Sequence, residues 1–148
     1  MWINGIVDPS SPCRVDVIFV VDESTSVGPG NFTLIKSFLS ALVGRLDIDS
    51  GSTRVGLLKF ASVVDTVQAF NLDAHSSVVS VQSAILSLTY TGGRTHTADA
   101  LRYARTDMLT AANGDRPGVP NVAFVMIDGK SNVNSEQTPV STVLTLMK

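Results

Sequence analysis

Val15-Asp16-Val17-Ile18-Phe19-Val20-Val21-Asp22-Glu23-Ser24-Thr25-Ser26-Val27-Gly28 is the stretch that decides the fold. Its apolar core, Val17 to Val21, ends abruptly at Asp22. The run is far shorter than the ~20 residues of a membrane span, and it lacks the alternation of a half-wet strand. It reads as a central parallel strand buried on both faces. Asp22, Ser24 and Ser26 then follow at alternate positions. In an open α/β sheet, ligands bind beyond the carboxyl ends of the strands. Hard oxygen donors therefore stand where such a fold places a site.

Upstream, residues 1–13 carry Pro9, Pro12 and neighbouring serines and read as a linker or leader. Downstream, residues 22–30 read as a loop. Phe32, Ile35, Phe38, Leu39, Leu42, Val43 and Leu46 then mark one apolar face of a helix over about 31–46, with Asn31 or a neighbouring glycine as its N-cap. Residues 47–52 form a polar turn and 54–60 a second strand. A third strand is expected over 62–70. The link between these two is too short for a crossover helix, so the pair should be an antiparallel hairpin with the third strand at a sheet edge. Val78, Val81, Ile85 and Leu88 predict a short amphipathic helix. Leu101, Ala104, Met108, Leu109 and Ala112 predict another over about 96–112, with Gly114 as the glycine after it. A second fully apolar strand, 122–127, ends in Asp128-Gly129, and a last helix starts within 138–148 with Pro139 in its first turn. The reading is an α/β fold: a doubly wound, mainly parallel, Rossmann-like sheet with one antiparallel edge strand and helices on both faces.

At 148 residues the chain reads as one domain. Charged residues are 16% against 44% hydrophobic, which is a globular rather than a disordered balance. Basic and acidic residues nearly cancel, 11 against 13, and no two basic residues are adjacent. Neither nucleic acid nor an anionic membrane is therefore expected as a partner, and no membrane insertion by this chain. The first residues lack the charged and apolar regions of a signal peptide, which points to the cytosol only if Met1 is the true start. Cys13 is either a free, semi-buried thiol or half of a disulfide whose partner lies outside this chain. Asn31-Phe32-Thr33 is a glycosylation acceptor, a pattern common by chance.

If the two apolar strands are neighbours, Asp22, Asp128, Ser24, Ser26 and the hydroxyls of Thr95 and Thr97 meet at one end of the sheet. Two carboxylates with several neutral oxygens suit a hard divalent cation, Mg²⁺ first, with Mn²⁺ or Ca²⁺ as substitutes. No His or Cys falls at zinc-like spacing.

Three motifs in this order, Asp22-Glu-Ser24-Thr-Ser26, Gly93-Arg-Thr95-His-Thr97 and Val125-Met-Ile-Asp128-Gly129, resemble those of the von Willebrand factor type A domain, the family of integrin inserted domains, matrilins and collagen VI. The resemblance covers residues 14–148. It implies a metal-ion-dependent adhesion site: Ser24 and Ser26 bind the ion through their hydroxyls, Thr95 directly or through water, and Asp22 and Asp128 mostly through water. The sixth position is open to a partner's Glu or Asp. Thr97 is then expected as a helix-start cap. Glu23, Arg94, Lys130 and Ser131 are expected on the rim, with Arg94 best placed to pair with the incoming carboxylate. The implied function is a secreted, Mg²⁺-dependent matrix or adhesion module that binds an extracellular matrix protein such as collagen, with no catalytic residues.

The chain departs from the family pattern at Ile127, where the family usually has Thr. The family also has two further strands and helices beyond Lys148, and related domains often pair a cysteine placed like Cys13 with one after the last helix. Two other functions stay in view. One is a structural matrix-assembly domain with an idle metal site. The other is a Mg²⁺-dependent hydrolase with Asp22 as nucleophile, although a phosphatase of the haloacid dehalogenase type would want an aspartate where Ser24 stands. The intracellular relatives attached to AAA+ ATPases stay open as well: no Walker A loop occurs in this stretch, but one could lie elsewhere in the parent gene. His75 is expected to begin a surface helix, and His96 has no Gly-x-Ser-x-Gly nucleophile to serve.

Overall fold

The computed structural model describes residues 12–128, together with the backbone of a small antiparallel pairing between β1 (Trp2–Ile3) and β2 (Ile6–Val7). β3 (Val15–Asp22) is the middle strand of a three-stranded sheet. β4 (Thr53–Phe60) and β5 (Asn121–Met126) flank it, both parallel to it, in the order β4-β3-β5. The register sets Asp22 opposite Phe60 on one side and Val21 opposite Met126 on the other.

Side chains along a strand point alternately to opposite faces, and β3 fills two cores in this way. Val17, Phe19 and Val21 pack with Val55 and Leu57 of β4 beneath α1 (Gly28–Val43) and α2 (Val78–Ser87), against Phe32, Leu39, Val43, Val81 and Ile85. Ile18 and Val20 pack with Leu58 and Phe60 on the opposite face, against Ala100, Leu101, Ala104 and Met108. Each fully buried large apolar side chain contributes about 1.5–3 kcal/mol. The unbroken apolar run of β3 is thus the signature of a sheet covered on both faces, and the doubly wound reading holds.

Four details differ from the sequence reading. α1 starts at Gly28, not near residue 31: Pro29 is tolerated in a first turn, and Val27 is the N-cap residue without a side-chain cap bond. Asn31 lies inside the helix, where its Nδ2 donates to Val27 O at 2.9 Å. The stretch 62–70 forms only two isolated antiparallel bridges, Leu57–Phe70 and Phe60–Val64. Asp65 is the cause: its Oδ1 accepts the N–H groups of Val67 and Gln68, at 2.9 and 3.0 Å, and turns the chain away from a ladder. The helix expected over 96–112 is interrupted. It runs as α3 (Thr97–Tyr103), widens to a π-turn over Ala104–Met108 and ends in a 3₁₀ turn, Ala111–Asn113. The wide turn seats Met108 against Gly56, where a Cβ would stand 3.2 Å from the Met108 Cε. Finally, His75 precedes α2 rather than starting it. Ser77 is the N-cap, in a reciprocal box with Ser80, and the His75 ring lies edge-on to Phe70, centroids 4.9 Å apart. The helix expected over 138–148 lies outside the described residues.

Candidate metal centre

β3 delivers Asp22 to the carboxyl end of the sheet with its side chain fully buried. There the chain turns: Ser24 N–H donates to Asp22 Oδ1 at 2.7 Å, and the N–H groups of Val27 and Gly28 return to Ser24 O. This turn aims Ser24 and Ser26 the same way, their hydroxyl oxygens 3.1 Å apart. Ser26 Oγ donates to Asp128 Oδ1, also at 3.1 Å, just past the end of β5. Asp22, Ser24, Ser26 and Asp128 therefore form a continuous column of oxygens running from the interior to the surface. Asp22 and Ser24 are buried; Ser26 and Asp128 are exposed.

The electrostatics of the column are incomplete. Burial pushes the Asp22 carboxyl above its usual range; the Ser24 amide and hydroxyl pull it back, the nearby Asp128 charge adds to the rise, and the Asp128 amide opposes it weakly. Its Oδ2 is buried and has no hydrogen-bond partner among the described residues. A buried polar atom without a partner is costly, and this one belongs to the residue at the inner end of the column. The donors fit a hard divalent cation: carboxylate and hydroxyl oxygens, with no soft ligand. Among the described residues no three His, Cys, Asp or Glu side chains gather as a metal site, here or elsewhere, so a cation at this one depends on hydroxyl oxygens beside its two carboxylates.

Thr95 is buried in the loop between α2 and α3. That loop is tied to the first by several bonds. Thr25 N–H donates to Gly93 O at 2.9 Å, Gly93 N–H returns to Thr25 Oγ1 at 3.0 Å, and Tyr90 OH donates to Ser24 O at 3.2 Å. Arg94 N–H reaches Ser62 Oγ, and His96 N–H reaches Ala61 O. Gly93 is required here: its φ is +125°, and a Cβ would stand 2.8 Å from Ser62 Oγ.

Thr97 is not the cap expected of it. It is the first residue of α3, the N-cap residue is His96, and the buried Thr97 hydroxyl has no partner among the described residues. Glu23 does not stand on the rim either. It is 2% exposed and bound to Lys59 at 2.8 Å, because the turn that aims Asp22 and Ser24 at the site sends the intervening side chain inward. Arg94 is exposed, as a rim residue must be; Lys130 and Ser131 lie outside the described residues. Cys13 is an exposed thiol rather than a semi-buried one. His96 Nδ1 stands 3.5 Å from Asp99 Oδ2, at the surface. Sequence reasoning missed Lys59, which is fully buried. A single lysine inside the apolar run Val55–Phe60 is the signal that marks a buried ion pair.

A family model for the von Willebrand factor type A domain matches residues 16–146. Vitrin of Mus musculus is 35% identical over 122 residues, 82% of this chain and 18% of that protein. Matrilin-1 of Gallus gallus is 36% identical over 121 residues, 82% of this chain and 24% of that protein. Among solved structures, proximal thread matrix protein 1 from the mussel byssus aligns with a TM-score of 0.78 at 23% identity, over 90% of this chain and 35% of that one. A second structure of it, described as having a zinc-occupied MIDAS motif, aligns at 0.77 and 22% identity, again over 90% of this chain and 35% of that one. This chain thus spans less than a quarter of the length of those two curated relatives. The relatives are secreted extracellular matrix proteins rather than enzymes, which places this chain in the extracellular class. No helix among the described residues is long and apolar enough to cross a membrane. The chain belongs to the von Willebrand factor type A domain family.

Proposed function

We propose that this domain is a cation-dependent binding module of an extracellular matrix or adhesion protein, and that the cation is Mg²⁺. Ser24, Ser26 and Thr95 would hold it through their hydroxyls, with Asp22 and Asp128 balancing its charge and orienting the hydroxyls, largely through water. The observation that carries this reading is the buried, unpartnered Asp22 Oδ2 at the inner end of the Ser24–Ser26–Asp128 column. Bound Mg²⁺ supplies Lewis acidity toward an incoming carboxylate. Because the donor set is mostly neutral, the cation keeps a net positive charge for a Glu or Asp of the partner, and collagen is the partner class to try first. Exposed Arg94 stands beside Thr95, where it can pair with the same carboxylate.

The test measures binding of the chain to immobilised collagens and matrix extracts in Mg²⁺ and in EDTA, with Ser24→Ala as control. The expected result is retention in Mg²⁺ and loss both in EDTA and in Ser24→Ala. Retention that ignores chelation and the variant alike removes the cation-bridged reading and leaves a structural assembly role.

A further inference from the structure

Glu23 stands between two residues of the oxygen column, yet it faces away from them. Its Oε1 takes the Lys59 ammonium at 2.8 Å, and its Oε2 accepts the Thr91 N–H at 3.0 Å. Lys59, fully buried near the end of β4, also holds Asp65 Oδ2 at 2.7 Å. One side chain therefore joins three segments: the turn after β3, the end of β4, and the loop that carries Thr95. A buried ion pair is a poor source of stability, since desolvating two charges offsets their attraction. What it supplies is short, directional bonds that fix the distance between the segments it joins. The separation of Ser24 from Thr95 depends on that distance. The Thr25–Gly93 and Tyr90–Ser24 bonds fasten the same two loops nearer the surface.

We propose that Glu23 and Lys59 are positioning residues of the cation site: the pair anchors the Thr95 loop against the Asp22–Ser26 turn and so sets cation affinity without touching the cation. The proposal rests on the cation-site reading above.

Mn²⁺ is the probe, its affinity for the full chain followed by electron paramagnetic resonance, with urea unfolding in EDTA run in parallel. Glu23→Met with Lys59→Met removes the fully buried pair as a unit, but it leaves the Thr91 N–H without its acceptor and the partly exposed Asp65 without its cation. Unfolding should stay near native while Mn²⁺ affinity falls about 10-fold, the lower end of the loss seen when groups behind metal ligands are removed. Glu23→Gln with Lys59→Met restores an acceptor for Thr91 and should recover most of that loss. A merely structural pair predicts no such split between stability and affinity. Native Mn²⁺ affinity in the double-methionine variant, or no recovery with glutamine, overturns the proposal. Should the double-methionine variant not fold, Glu23→Asp decides. It keeps the charge but cannot span both partners, and native affinity in it is equally fatal. Ser24→Ala separates the two readings. If it binds Mn²⁺ like the native chain, the site assignment fails and takes the proposal with it; if it loses binding, only the positioning role is under test.

Discussion

β3 carries one fully buried aspartate near each end, and the two are treated in opposite ways. At the amino end, Asp16 is saturated. Arg116 reaches its Oδ1 through Nε and Nη2 at 2.8 and 2.6 Å, and the Arg116 N–H donates to Oδ2 at 3.0 Å. The same guanidinium binds the carbonyls of Val15, Gly51 and Ser52, so one side chain closes the loops before β4 and β5 onto β3. At the carboxyl end, Asp22 has one backbone N–H on Oδ1 and no partner on Oδ2 among the described residues. With the strand and the residue type shared, the difference lies in the surroundings. Asp16 itself is closed in by its partners and serves the fold, while Asp115 Oδ1 and Asn121 Oδ1 near it are buried without a partner among the described residues. Asp22 keeps a carboxylate oxygen in reserve, and that is where a cation gains from binding.

Mutation of the Asp16 partner should have the largest effect. Arg116→Ala leaves Asp16 buried without its cation and is expected to cost about 3–5 kcal/mol, read as a lower urea midpoint at unchanged slope. A loss well under 1 kcal/mol would mean that the two aspartates are not held differently. Asp22 should respond to cation instead. At a Mg²⁺ concentration of about 100 Kd, the native chain should gain about 2.7 kcal/mol, and Asp22→Asn should gain far less. Without cation, the Asn variant should unfold at or above the native urea midpoint, since it removes a buried charge whose second oxygen is unsatisfied. A cation-free midpoint well below native would place Asp22 with Asp16 as a structural residue.

The smallest effect belongs to Asp65, at the outer end of the Lys59 cluster. Burial alone would raise its carboxyl, but the Lys59 hydrogen bond and charge and the Gln68 and Val67 N–H groups outweigh it, and the net shift is downward. Because its folded pKa lies below the unfolded value of about 3.9, its contribution is present above that pH and is lost as pH falls through the lower folded value. Asp65→Asn should flatten the acid limb of the stability profile below about pH 4 and leave neutral Mg²⁺ affinity unchanged. An unaltered acid limb would remove Asp65 from the cluster's energetics.

Much of this architecture was legible before any coordinates. A run apolar at every position, Val17 to Val21, implies a strand covered on both faces, and the stripe from Phe32 to Val43 implies a helix, because both patterns follow from the fixed repeat of the element itself. The oxygen column was legible for a related reason. Asp22, Ser24 and Ser26 are neighbours in sequence, and a second apolar strand ending in Asp128 has one obvious place beside the first. The edge strand at 62–70 failed because a single Asp65 turn outcompeted a ladder of backbone bonds, which apolar spacing does not register. Thr97 failed because starting a helix does not oblige a hydroxyl to cap it.

Local pattern thus established the strands, the principal helices and the residue types offered to a cation, since each depends on neighbours a few positions away. The partners of the charged groups were settled by the folded chain alone. Asp16 and Arg116 are 100 residues apart, and Glu23 and Lys59 are 36 apart. Whether a carboxylate becomes a clamp, a brace or an open ligand depends on which distant cation the packing of two helical layers brings within reach, and no short-range rule encodes that distance.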